Sequence, residues 1–218
     1  LLDREELVPG ESGFAQLRLE APVVALPHDR FVIRGSGVIQ TLGGGVVLDA
    51  HPTRHKRNAP SVIEDLTTLR EGSHDEAVAQ HIRRSGMRGI ASDDLLKRVA
   101  TSSSEVQRVI KKMIDQGEVL LIDPEKMKVI DNRSYRQLRE MALAQLKEFH
   151  QRFPMKSGLA KEELRTKLPV EVDVKLFQIL LNGLIQSKEI VLEKDKVRLP
   201  GHQISSMDEK GLFKRVEE

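Results

Sequence analysis

The sequence predicts a mixed α/β protein, in which a partial antiparallel β-barrel is followed by tandem α+β winged-helix domains. Three observations predict this fold class. Apolar residues alternate with polar ones over the first 50 positions, and from residue 59 they recur at helical spacing. The helical pattern then occurs twice, as an internal repeat of roughly 70 residues.

Composition narrows the class of protein. The chain has 218 residues with a net charge of +2, 39% hydrophobic and 31% charged residues, which is typical of a globular protein. The absence of cysteine excludes disulfides, cysteine-ligated zinc and cysteine nucleophiles. No secretory signal or membrane-spanning apolar run is present, so we expect a cytoplasmic protein without a membrane partner. The first residues, Leu1-Leu-Asp3, indicate a piece of a longer protein.

The amino-terminal region is predicted to form short strands. Residues 14–19 alternate apolar and polar side chains, and residues 31–34, 38–42 and 46–48 follow as further strands. Gly43-Gly-Gly45 lacks a following helix and a Gly-Lys-Ser/Thr sequence, so we interpret it as a tight bend or bulge rather than a phosphate loop.

The repeat is visible when residues 89–99 are written above residues 158–168. Glycine, alanine, an acidic pair and the apolar positions coincide. Further along, the apolar residues of the third helices correspond: Val106, Ile110, Met113 and Ile114 with Phe177, Leu181, Leu184 and Ile185. In the closing hairpins, Met127 and Val129 are predicted to correspond to Val197 and Leu199.

Each repeat contains the same series of elements. A first helix, at 75–84 and at 135–153, precedes a short strand, a helix opened by acidic residues, a third helix and a β-hairpin. Three helices followed by a hairpin are the winged-helix arrangement. A capping box is predicted at Ser61 with Glu64, and Ser102 with Glu105 is predicted to cap the third helix of the first repeat. We expect a barrel portion at 1–58, winged helices at 59–133 and 134–202, and the start of another at 203–218.

Two groups of basic residues are candidates for RNA contact. Between the barrel and the helices lie Arg54, His55, Lys56 and Arg57, which form either a solvated linker or a phosphate-binding run. The third helix of the first repeat carries Arg108, Lys111 and Lys112 among acidic residues, so that unit is either a spacer or a direct RNA contact. No histidine spacing predicts a metal site, and no catalytic constellation is present, so we expect no enzyme activity in this chain.

Three motifs carry a resemblance to a known family. They are the runs Gly10-Glu-Ser-Gly-Phe-Ala-Gln-Leu-Arg-Leu-Glu20, Asp29-Arg-Phe-Val-Ile-Arg34 and Gly43-Gly-Gly-Val-Val-Leu-Asp-Ala-His-Pro52, followed by Arg54-His-Lys-Arg57. They resemble the third domain of the SelB family, the bacterial selenocysteine-specific translation elongation factors. The winged helices that follow are similar to that family's own carboxy-terminal extension, so the resemblance covers nearly the whole chain.

The resemblance implies a function for the whole protein and for this part of it. Members bind GTP with magnesium in an amino-terminal domain that is missing here, so no cofactor is expected in this chain. They carry selenocysteinyl-tRNA to the ribosome and bind the selenocysteine-insertion hairpin of the mRNA through their last winged helices. This chain would connect the tRNA-carrying body to that tip, and Arg34 with Arg54 to Arg57 would contact tRNA.

Two other interpretations remain open. A winged-helix transcriptional regulator with an appended β domain would need a basic third helix, and an enzyme with a small barrel would need a catalytic site. In either case a partial barrel leaves an open strand edge, so we also expect self-association through residues 1–50.

Overall fold

The computed structural model describes residues 1–35, 40–168 and 171–202. The chain divides into two compact units. Unit 1 comprises Leu1–Ser85 with Gly89–Val129, and unit 2 comprises Gly86–Arg88 with Ile130–Glu218. The expected strand at 38–42 lies partly outside the described residues, and the expected start of a further winged helix at 203–218 lies wholly outside them.

The amino-terminal part of unit 1 contains one antiparallel strand pair, β1 (Arg30–Arg34) and β2 (Thr41–Val46). Within the described residues no closed barrel forms. Residues 14–19, predicted as a strand, belong to no sheet, although their backbone is tied to Leu2, whose N–H donates to Phe14 O at 2.7 Å. An alternating pattern becomes a strand only where a neighbouring strand completes its hydrogen-bond ladder, and among the described residues no strand pairs with 14–19.

The glycine run lies inside β2, so the prediction of two separate strands with a bend between them is wrong, whereas a bulge does occur beside the run, where Ile33 pairs with Gly43 and Arg34 with Thr41. Gly44 pairs with Val32 and Gly45 with Phe31. A Cβ atom at Gly44 would lie 2.5 Å from Phe31 O, and one at Gly45 would lie 2.7 Å from Phe31 Cζ. The expected close approach of backbones is therefore confirmed, and it makes room for the Phe31 ring.

The helical part of unit 1 has the predicted winged-helix order. It consists of α1 (Pro60–Glu71), α2 (His74–Arg84), α3 (Ser92–Leu96), α4 (Ser103–Asp115) and the two-stranded sheet β3 (Val119–Asp123) with β4 (Lys128–Asp131). Its core joins apolar residues of all these elements except α1, including Val78, Ile82, Leu95, Ile110 and Val129. The period of the sequence thus predicted both the helices and the faces that they bury.

Helix capping differs from the prediction at one place. The Ser61–Glu64 capping box is wrong because Pro60 is the first helical residue, and the N-cap Ala59 has no side-chain acceptor. A capping box does form at Ser73, where Glu76 N donates to Ser73 Oγ at 3.3 Å and Ser73 N donates to Glu76 Oε2 at 2.7 Å. The predicted Ser102 cap is confirmed, with Glu105 N donating to Ser102 Oγ at 3.2 Å.

Unit 2 repeats this arrangement on a longer first helix. Its elements are α5 (Asn132–Arg152), β5 (Leu159–Ala160), α6 (Lys161–Lys167), α7 (Val174–Gln186), β6 (Val191–Glu193) and β7 (Lys196–Arg198). The strands form a sheet in the order β5-β7-β6. The predicted apolar stripe of α5 is buried at Leu138, Ala142, Leu146 and Phe149.

The internal repeat is confirmed in the helices and shifted in the hairpins. Ile90 bridges Val129 in unit 1, and Leu159 pairs with Val197 in unit 2, so Val129 corresponds to Val197 and not to Leu199. The reason is turn length, because residues 124–127 form the first turn whereas residues 194 and 195 alone form the second. Among the described residues, no helix is long and apolar enough to cross a bilayer.

Candidate nucleic-acid interface

The third helix of the first winged helix, α4, holds two of its three candidate cations in ion pairs. Arg108 Nη2 lies 2.7 Å from Asp75 Oδ1 and 2.8 Å from Glu105 Oε2. Lys112 Nζ lies 3.5 Å from Asp75 Oδ2. Asp75 is in the first turn of α2, so two helices bring an acidic group onto the basic stripe of α4.

This pairing is reflected in proton affinities. The hydrogen bond from Arg108 holds the pKa of Asp75 below its usual range, and hydrogen bonds to Glu105 and then to Asp75 raise the pKa of Arg108. These groups therefore stay charged and compensate each other at neutral pH. Lys111, the other predicted contact, is exposed on α4 and takes no part in the Asp75 cluster.

The basic run after the barrel region is held as an extended segment. Gln16 clamps it, because Gln16 Nε2 donates to Thr53 O at 2.9 Å and His55 N donates to Gln16 Oε1 at 3.1 Å. Arg57 Nε donates to Leu1 O at 3.4 Å. The side chains of Arg54, Lys56 and Arg57 are exposed, as is that of Arg34 at the end of β1.

Unit 2 contains a cationic cluster that the sequence interpretation missed. It lies where α5 ends, around two phenylalanine rings whose centroids are 5.3 Å apart. Lys156 Nζ lies 4.4 Å from the Phe153 ring centroid and 5.7 Å from that of Phe149, and Arg152 Cζ lies 5.5 Å from the Phe153 centroid. The i, i+4 spacing of Phe149 and Phe153, with Arg152 beside them, is a signal that helical periodicity could have revealed.

A histidine pair joins this turn to the end of the hairpin. The rings of His150 and His202 stack at 3.7 Å with an interplanar angle of 16°. Leu199 N donates to His150 Nε2 at 3.2 Å, and His202 Nε2 donates to Lys156 O at 2.8 Å. Burial, then the nearby His202 and Arg198, lowers the pKa of His150, so this ring remains a neutral acceptor.

The described residues suit neither a metal ion nor a nucleotide phosphate loop. No group of three His, Cys, Asp or Glu side chains there could hold a metal ion. The glycines of β2 do not fit a nucleotide phosphate loop, because they lie within a strand, where Gly44 and Gly45 face the Phe31 backbone and ring. The site that remains is cationic and exposed, which suits a polyanion.

Comparison with known proteins identifies two domains. Residues 1–54 match the family described as the selenocysteine-specific elongation factor β-barrel domain, and residues 143–199 match the elongation factor SelB winged helix.

Relatives extend this likeness over most of the chain. The selenocysteine-specific elongation factor of Desulfomicrobium baculatum is 27% identical over 97% of this chain and 33% of its own length. That of Escherichia coli is 24% identical over 95% of this chain and 32% of its own length. The chain thus spans about a third of the length of these curated relatives.

A solved structure was also found, that of the mRNA-binding domain of E. coli elongation factor SelB in complex with SECIS RNA. It has a TM-score of 0.41 at 16% identity, over 58% of this chain and 97% of that one. The family domains at 1–54 and 143–199, together with relatives aligned over nearly the whole sequence, confirm the resemblance and place this chain in the selenocysteine-specific elongation factor (SelB) family, as a part that carries the β-barrel and winged-helix domains.

Proposed function

We propose that this chain connects the tRNA-carrying GTPase body of a selenocysteine-specific elongation factor to the winged helices that bind the mRNA hairpin. The observation that carries the proposal is the order of the two family domains, with the barrel match at 1–54 and the winged-helix match at 143–199. Selenocysteinyl-tRNA, the mRNA hairpin and the ribosome would be partners of the whole protein in the cytoplasm. GTP and magnesium would be bound outside this chain.

The first winged helix supports a spacer role. Two of its three candidate α4 cations, Arg108 and Lys112, are compensated by Asp75 and Glu105, and its core is filled by its own apolar side chains. A domain with these properties sets a distance without adding a strong field of its own. The same pairing counts against a transcriptional regulator, which would direct an uncompensated basic helix at the major groove.

The barrel region is the proposed side of tRNA contact. Arg34, Arg54, Lys56 and Arg57 are exposed, His55 is half-buried, and Gln16 holds the backbone of the basic run in place. A fixed backbone with free cationic ends suits sequence-independent phosphate contacts. We assign no catalytic step to any residue of this chain.

A domain exchange tests the connecting role. The aligned third of the D. baculatum factor would be replaced by this chain, and selenocysteine-dependent decoding of UGA would be measured in a reporter strain lacking its own factor. We expect decoding to be retained. A well-expressed, folded exchange protein that binds tRNA and hairpin separately but does not decode UGA would contradict the proposal.

A further inference from the structure

We propose that unit 2 itself binds the phosphate backbone of an RNA, through a surface formed by Arg152, Lys156 and Lys196. We call these three residues the basic turn. The choice of RNA as the polyanion rests on the proposed function, whereas the location of the surface rests on charge and geometry alone.

The first argument is the distribution of charge. Segments 152–157 and 193–198 together contain five basic residues against two acidic ones, an excess larger than the +2 of the entire chain. Both acidic residues are already engaged, because Asp195 Oδ1 lies 3.0 Å from Lys161 Nζ and Glu193 Oε1 lies 2.6 Å from Arg198 Nη2. Within the described ranges, no carboxylate pairs with the basic turn, and all three of its side chains are exposed.

The second argument is that the three cations are oriented without being neutralised. Arg152 and Lys156 lie against the Phe153 ring, and Lys196 Nζ donates to Ser157 Oγ at 3.2 Å. A ring face or a hydroxyl positions a cation but leaves its charge available to an anion. A phosphate that binds here therefore meets side chains whose freedom is already reduced, which lowers the entropic cost of contact.

The third argument is that the backbone beneath the surface is fixed. The stacked His150 and His202 rings join the end of α5 to residues 199–202, and His202 bonds the carbonyl of Lys156. Arg198 Nη1 in turn donates to His202 O at 3.2 Å. β5 follows the turn that carries Lys156, and Ala160 of β5 pairs with Lys196 of β7, so the sheet fixes the backbone of Lys196 relative to the end of that turn.

Unit 1 provides an internal contrast. There, Arg108 and Lys112 on the third helix form ion pairs with Asp75. These two cations of the first repeat thus have an acidic partner, whereas the basic turn of the second repeat has none among the described residues. This difference directs the RNA contact to the end of α5 and the hairpin rather than to the third helix.

The test measures binding of the full chain to a fluorescein-labelled SECIS hairpin and to a hairpin of scrambled sequence. Fluorescence anisotropy would be followed from 50 to 300 mM KCl, about the range over which phosphate contacts dominate affinity. For the triple variant Arg152→Ala, Lys156→Ala, Lys196→Ala we expect about tenfold weaker binding of both hairpins at low salt. We also expect the slope of log K against log salt to fall by about two to three, since each of the three phosphate contacts contributes about 0.7 to 0.9.

The matched control removes an equal number of positive charges, three, from the exposed face of α5. Its substitutions are Arg133→Ala, Arg136→Ala and Lys147→Ala. It should change affinity by no more than about twofold and leave the slope within about half a unit. Thermal unfolding followed by circular dichroism would show that both triple variants are folded.

Three results would overturn the proposal. They are an unchanged salt slope in the basic-turn variant, an equal loss in the control, and no binding of either hairpin by the unaltered chain. The domain exchange tests the proposed function separately from these three binding results. A chain that connects the two ends of the factor without contacting RNA would fail the binding test and still support decoding of UGA.

Discussion

Asp75 Oδ1 lies 2.7 Å from Arg108 Nη2, so α2 places a carboxylate on the stripe of α4 that a nucleic-acid reader would keep basic. Lys112 shares the same carboxylate at 3.5 Å. The consequence is a winged helix in which the charges of Arg108 and Lys112 on the third helix are compensated within the domain itself.

Replacing Asp75 with Asn should expose a phosphate-binding face on α4. Arg108 and Lys112 lose their shared anion, so RNA affinity should rise about threefold at low salt and the salt slope should increase by about one. Anisotropy with the same hairpins checks this. Asp93→Asn is the matched control, since it removes one charge from an exposed first-turn position of α3. An equal gain in both variants would show that only net charge matters.

Unit 1 should lose stability as the pH falls from neutral. Burial lowers the pKa of the His81 imidazole from 6.5 to about 4. The nearby Asp49 carboxylate opposes this shift, and the positive charges of Arg84 and Arg98 add to it. The unfolded chain takes up a proton below about pH 6.5 while the folded unit does not until about pH 4. The free energy of unfolding should therefore fall across that window, by about 3 kcal/mol in full, and be constant above it.

Urea unfolding followed by circular dichroism at pH 7, 6 and 5 measures this loss. The variant His81→Gln cannot take up the proton, so its stability should depend less steeply on pH even though it starts lower. Parallel pH profiles for the two proteins would mean that His81 does not titrate as inferred.

Gly89 should tolerate no side chain. Its φ is +64°, and a Cβ would lie 2.5 Å from Val129 O and 2.8 Å from Ile122 Cδ1. Gly89→Ala should thus destabilise unit 1 by about 3 kcal/mol, from strain and from a broken approach to β4. Gly117→Ala separates the two causes, because Gly117 has φ +70° with open space around it and should cost about 1 kcal/mol. Equal losses of stability in the two variants would contradict the inference that the close approach of Val129 and Ile122 adds to the cost at Gly89.

The strand pair β1–β2 should make the isolated chain self-associate. Val32 and Leu42 are 65% and 67% exposed on a sheet whose two strands have no further strand partner among the described residues. Sedimentation velocity should show concentration-dependent association that Val32→Lys with Leu42→Lys reduces. Val174→Lys, at a position 67% exposed on α7, is the control and should leave association unchanged. A monomer at all concentrations would contradict this expectation.

Much of the helical fold was predictable because it follows from periodicity. The third helices bury Val106, Ile110 and Met113 in one repeat and Phe177, Leu181 and Leu184 in the other, as the alignment of the repeats requires. The hairpin register was not predictable in the same way. It depends on the number of residues in the turn, which shifts the pairing without changing the apolar pattern.

The site was less accessible to sequence reasoning than the fold. Arg108 and Lys112 were identified as basic residues on the third helix, but their partner Asp75 is more than thirty positions away in the chain. Lys156 and Lys196 come together only because β5 pairs with β7. Charge in a linear sequence can be counted, whereas its compensation depends on contacts that tertiary structure makes.

Asp49 and Arg84 lie on opposite sides of the expected boundary at residue 58. Their ion pair spans 3.2 Å, and only 4% of the Asp49 side chain is exposed. Arg70 of α1 lies 4.8 Å from the centroid of the Phe14 ring across the same boundary. A carboxylate this deeply covered cannot be separated from its guanidinium without a large penalty. Force applied to the amino-terminal segment would therefore be transmitted directly to α2. Cleavage of the chain at residue 58 would disrupt one folded unit rather than separate two.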